Sequence, residues 1–74
     1  MYNGHKNWAH WNVSLWLDND EGLYNLKRKY MRRSMTKDEA AVRILDDLNS
    51  LGIVKTPDGA VYTKTSIRAA LVGD

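Results

Sequence analysis

The sequence predicts an all-α protein, a compact four-helix domain of helix-turn-helix-like type, with a very short hairpin or a plain loop over residues 53–62. Three observations carry that expectation. Apolar residues recur at three- and four-residue spacing in four stretches. Capping residues stand at the boundaries between those stretches: Asp18-Asn19-Asp20, Thr36, Gly52 and Thr63. The 74 residues leave room for one domain only.

A first helix is expected over residues 5–17, with Trp8, Trp11 and Leu15 on one face and Val13, Trp16 and Leu17 widening the stripe. Asp18-Asn19-Asp20 should end it, because short polar side chains compete for backbone donors. Asn19 or Asp20 then caps a second helix, with Asp20 and Glu21 where the helix dipole favours negative charge. Leu23, Leu26 and Tyr30 face one way along it, and its cations gather at the far end.

Thr36-Lys37-Asp38-Glu39 is a capping box, in which Thr36 takes the Glu39 amide and the Glu39 carboxylate reaches back to the Thr36 amide. The third helix follows, with Ala41, Ile44, Leu45, Leu48 and Leu51 at core spacing. Gly52 suits the left-handed position beyond its end, and Ile53 supplies the accompanying apolar contact. In Thr56-Pro57-Asp58-Gly59, Pro fixes φ near −65° and Gly accepts a positive φ, the chemistry of a tight turn. Thr63 caps a last helix that turns Ile67, Ala70 and Leu71 inward, and Gly73 ends it.

So small a chain builds a small core. With no cysteine, disulfides and cysteine-rich zinc sites are excluded. Aromatic bulk is the expected compensation: Trp8, Trp11, Trp16, Tyr24, Tyr30 and Tyr62 stand in for the missing Phe. The opening residues are polar, and no apolar run approaches the ~20 residues that span a bilayer. A soluble cytoplasmic protein with no membrane partner is expected.

Catalytic constellations are lacking. Ser14, Ser34, Ser50 and Ser66 sit in no nucleophile motif. His5 and His10 point about 140° apart on one helix and cannot share a metal. Asp46-Asp47 and Asp38-Glu39 diverge as adjacent surface pairs, and no glycine loop cradles phosphate. Neither an enzyme nor a cofactor is expected.

The net charge is +2, from eleven Lys and Arg against nine Asp and Glu. Its distribution is uneven: Lys27, Arg28, Lys29, Arg32 and Arg33 cluster just downstream of Asp18, Asp20 and Glu21. This run either grips phosphates or is a charged helix end balanced by acidic neighbours. Lys55, Lys64 and Arg68 join the same surface if the last helix lies beside the second. The tryptophans read as core, with one at an edge, against the alternative of an exposed platform for bases or a partner.

Leu48-Asn49, Gly52-Ile53, Thr56-Pro57-x-Gly59, Tyr62 and Ser66-Ile67-Arg68-x-x-Leu71 together resemble the end of the recombinase domain of large serine recombinases. The likeness covers about 24 of the 74 residues. It implies a helix-turn-helix-like unit near DNA and no strand transfer, the catalytic domain being absent. Asp58 stands where that family often has Arg, which removes a cation from the turn. Asn3-Gly4-His5-Lys6-Asn7-Trp8, Trp11-Asn12-Val13 and Asn19-Asp20-Glu21-x-Leu23-Tyr24 resemble small phage and prophage proteins with no assigned activity. That likeness implies mobile-element biology and a host-cell setting.

The expected function is binding of duplex DNA, or of a nucleic-acid-handling complex, through Lys27, Arg28, Arg32, Arg33, Lys64 and Arg68. The alternatives are an inhibitor or adaptor on a host protein, such as an anti-CRISPR or other anti-defence factor, and a homodimer. Trp8, Trp11 and Trp16 would supply the contact in both.

Overall fold

The computed structural model describes residues 8–72, which form four helices. These are α1 (Trp8–Asn19), α2 (Glu21–Met31), α3 (Lys37–Ser50) and α4 (Lys64–Val72). Each of α1 and α3 packs against both α2 and α4, so the helices form a ring. The diagonal pairs, α1 with α3 and α2 with α4, scarcely touch. This placement decides which cations share a surface. His5 and Gly73 lie outside the described residues.

The boundaries follow from local chemistry. The Asp20 carboxylate accepts the Leu23 amide at 3.1 Å and starts α2 one residue after α1 ends. Thr36 accepts the Glu39 amide at 3.1 Å, while the Glu39 carboxylate accepts from the Thr36 hydroxyl at 3.3 Å. The expected return contact is thus made to the side chain of Thr36. Beyond α3, Gly52 adopts φ 78°, Ile53 N–H donates to Leu48 C=O at 2.8 Å, and Gly52 N–H donates to Asn49 C=O at 3.0 Å. That is the paired closure of a Schellman motif. Thr63 and Ser66 cap α4 reciprocally, each hydroxyl accepting the other's amide, at 3.0 and 2.9 Å.

Residues 51–63 connect α3 to α4, a longer link than the three- or four-residue turn of a helix-turn-helix. Thr56 C=O accepts the Gly59 amide at 2.9 Å across the Pro-Asp turn, and Gly59 takes φ 101°. Thr56 N–H reaches Ala60 C=O at 2.8 Å and Tyr62 N–H reaches Val54 C=O at 2.9 Å. Among the described residues the hairpin amounts to one isolated antiparallel bridge, Lys55 to Val61.

The core gathers Val13 and Leu17 from α1, Tyr30 from α2, Ile44 and Leu48 from α3, and Ile67 and Leu71 from α4, with Tyr62 sealing one end. The sequence expectation for α1 needs correction. Its inward stripe is Ala9, Val13 and Leu17, whereas Trp8 and Leu15 are exposed and Trp11 and Trp16 half-buried. Small aliphatic residues at four-residue spacing let α1 approach α2 and α4 closely, while an indole needs room and a polar partner for its N–H. Tyr24 is likewise exposed. Leu51, expected inside, is 73% exposed. It caps α3 with ψ 1°, so the helical period no longer carries it onto the core face, and Ile53 packs there instead.

Candidate nucleic-acid interface

Helix α2 is electrically polarised along its length. Exposed Asp20 and Glu21 open it, and Arg28, Lys29, Arg32 and Arg33 close it, in the sense the helix dipole favours. Leu23, Leu26 and Tyr30 turn toward the core, which leaves those four cations exposed. A shallow depression of about 420 Å³ is lined by Asn25, Arg28, Lys29, Arg32 and Arg33, with no carboxylate among its walls.

Two tyrosine rings lie against three of the cations. The Arg28 guanidinium lies 5.8 Å from the centre of the Tyr24 ring. Lys29 Nζ and the Arg33 guanidinium lie 5.1 and 5.4 Å from that of Tyr30. Tyr30 is buried, and its hydroxyl donates to Asp47 Oδ2 at 2.7 Å. That hydrogen bond, with burial and the Asp47 charge behind it, raises the phenol above its ordinary pKa, while Arg33 and Arg43 oppose the shift. The same contact anchors the base of the cationic surface to α3.

Lys27 does not belong to this surface. It shares the inward side of α2 with Leu23 and Tyr30, is only 4% exposed, and extends Nζ to Asp18 Oδ1 at 2.6 Å. Its stem packs in the interior while its ammonium fastens the α1–α2 corner.

The cations of α4 are also elsewhere. Because α2 and α4 are diagonal, Lys64 and Arg68 do not extend the α2 cluster; the adjacency expected from the sequence is not formed. Arg68 Nε pairs with Asp38 Oδ1 across the α3–α4 contact. Lys64 borders a groove of about 330 Å³ shared with Asp38, Glu39, Val42, Arg43 and Asp46. Charges of both signs mix there, unlike in the depression on α2.

A third concave feature, about 330 Å³, is lined by Trp16, Asp20, Leu23, Ile53, Lys55, Pro57 and Tyr62. Its walls are held by a polar network that the sequence reading missed. Asn12, fully buried in α1, donates from Nδ2 to Asp58 Oδ2 at 2.8 Å and accepts from the Thr56 hydroxyl at 2.5 Å. Trp16 Nε1 donates to the same Asp58 oxygen at 3.0 Å, and the Ala60 amide donates to Thr56 Oγ1 at 3.0 Å. The bonds from Asn12 and Trp16 hold the Asp58 carboxyl below its ordinary pKa. Tyr62 is pushed above its ordinary value by burial and by the nearby Asp20 charge. Asp58 therefore serves as a structural anion. An Asn within an apolar helical stripe was the available signal.

Among the described residues, no three His, Cys, Asp or Glu side chains converge in a way that could hold a metal. No described helix is long and apolar enough to cross a membrane.

Among the described residues, fold and surface together define a small four-helix module with a basic helix end whose depression has no carboxylate in its walls. The chain belongs to a family of unknown function, DUF7249, whose model matches residues 1–74. No curated protein and no solved structure gives a match.

Proposed function

We propose that this chain is a non-enzymatic, phage-type binding module that contacts duplex DNA, or the nucleic acid of a larger complex, through the exposed end of α2. The carrying observation is that Arg28, Lys29, Arg32 and Arg33 line one depression with no carboxylate in its walls. The surface is narrower than the sequence suggested, since Lys27 is internal and Lys64 and Arg68 sit among the acids of α3. Cations in such an array displace condensed counterions from a polyanion, and the resulting affinity falls as salt rises. Fluorescence anisotropy with a labelled 20-base-pair duplex tests this. If about four phosphates are neutralised, affinity drops roughly 100-fold between 50 and 200 mM salt. Absence of binding at 20 mM salt refutes the reading.

A second reading, an inhibitor or adaptor docking on a host protein, draws support from α1. Trp8 is 40% exposed, Leu15 lies on the same helix with 36% exposure, and Trp16 walls the groove beside Tyr62. Aromatic anchors of this kind concentrate binding energy at protein interfaces, including those between two copies of one chain. A partner from nuclease-treated host lysate that is lost on Trp8→Ala substitution supports this reading. Sedimentation distinguishes self-association.

A further inference from the structure

We infer that the α2 surface grips the phosphate backbone of duplex DNA without reading base sequence. This rests on the nucleic-acid reading above and specifies how that contact is made.

The polarity of α2 is the first reason. A recognition helix in the major groove brings its N-terminal residues to the base edges. Here that end carries Asp20 and Glu21, both exposed, with exposed Asp18 just ahead of them. Asp18 is paired with Lys27, but driving the Asp20 and Glu21 carboxylates between two phosphate strands opposes the attraction that brings the cations close. The favourable approach sets the C-terminal end of α2 against the outside of the duplex.

The disposition of the cations is the second reason. Arg28 lies against Tyr24, and Lys29 and Arg33 against Tyr30, within 5.8 Å of the ring centres. Side chains held along the helix surface meet phosphates at its flank more readily than base edges deep in a groove. Arg32, the C-cap of α2, stands four residues beyond Arg28, about 6 Å along the helix axis, with Lys29 beside the first and Arg33 just past the second, so the cations form two tiers. Two tiers suit successive phosphates on one strand.

The third reason is the lack of a second reading element. In a helix-turn-helix the partner helix crosses the backbone while the recognition helix reads bases. The α4 cations that would fill the complementary role lie diagonally across the ring, with Arg68 tied to Asp38. The contact is therefore compact, near four phosphates, and indifferent to sequence.

Binding of the full chain to three labelled 20-base-pair duplexes, A·T-rich, G·C-rich and mixed, provides the test. The expected result is Kd values within threefold of one another and a log–log salt slope of about −3.6 on each, at roughly 0.9 per phosphate. Arg28→Gln and Arg32→Gln should each lower the slope magnitude by about one on all three duplexes. Lys64→Gln should leave it unchanged. Far-UV circular dichroism establishes that each variant is folded. A preference above tenfold for one duplex overturns the inference while sustaining nucleic-acid binding. So does a loss on Arg28→Gln confined to one sequence, or tighter binding to a single strand of equal length. Failure of every duplex to bind at 20 mM salt overturns both this inference and the function on which it rests.

Discussion

The Asn12 carboxamide and the Asp58 carboxylate, 46 positions apart in the chain, meet in a 2.8 Å hydrogen bond that fastens the Pro-Asp-Gly turn to α1. The bond makes the long connection between α3 and α4 part of the fold. It also sets the orientation of Trp16, whose indole N–H shares the same oxygen.

Asn12→Ala removes both arms of this link and leaves the Thr56 hydroxyl without its buried acceptor. The expected loss is about 3 kcal/mol, from the unmet polar group and the small cavity together. Urea unfolding followed by circular dichroism checks it. Asp58→Ala should cost less, because water can reach that side of the network, yet the Trp16 indole N–H resonance should move in the proton spectrum.

Leu17→Ala should destabilise by about 3 kcal/mol, since Leu17 is fully buried at the centre of the ring. Trp8→Ala, despite deleting a far larger side chain, should cost under about 1 kcal/mol, because Trp8 is 40% exposed and lies outside the core cluster. Chemical denaturation of the two variants side by side reverses the ranking that side-chain size alone would give.

Lys27 and Asp18 form a pair exposed on the acid side only, with side-chain exposures of 6% and 46%. Lys27→Met keeps the buried stem and removes the charge, so stability should change by less than about 1 kcal/mol. Asp18→Asn, which retains the size of the group but weakens the attraction for a buried ammonium, should cost about 1–2 kcal/mol. Neither substitution should reduce the salt slope for DNA, a measurement that separates Lys27 from the exposed cations of α2.

The pH profile follows from three groups. Asp58 has a depressed carboxyl pKa in the fold, so its contribution is present above the unfolded value of 3.8 and is lost as pH falls through the folded one. Tyr30 and Tyr62 have raised phenol values, so theirs is complete below 10.0 and is lost as pH rises through the folded values. These groups therefore favour a stability plateau between the two limits, with decline on either side. Thermal melts from pH 2 to 12 test the shape, and phenolate absorbance should show two tyrosines ionising above pH 10.

Where a helix starts or stops, nearest-neighbour chemistry decides, and the sequence was legible there. Asp20, Thr36, Gly52 and Thr63 each do the local job their residue types suggest. The side of a helix that faces inward is a property of the whole ring, and there the reading was half right for α1: Val13 and Leu17 face inward as expected, while Trp8 and Leu15 do not. An uncharged stripe of Trp8, Trp11 and Leu15 looks as inward as Ala9, Val13 and Leu17, and only close packing of the neighbouring helices separates them. The basic surface was half legible. Arg28, Arg32 and Arg33 follow from the run itself and Lys29 completes it. The burial of Lys27, by contrast, depends on the position of Asp18, and the separation of Lys64 and Arg68 on a ring order that local spacing does not encode.

The diagonal arrangement of α2 and α4 also bears on encounter kinetics. A carboxylate-free group of cations on one flank is set against mixed and paired charges on the other, so positive charge is unevenly placed and concentrated at the end of α2. Under the proposed contact with DNA, the long-range negative potential of the duplex would orient the molecule before it touches, with Arg28 and Arg32 foremost in the first collisions. The association rate constant, and not the lifetime of the complex alone, then carries part of the ionic-strength dependence.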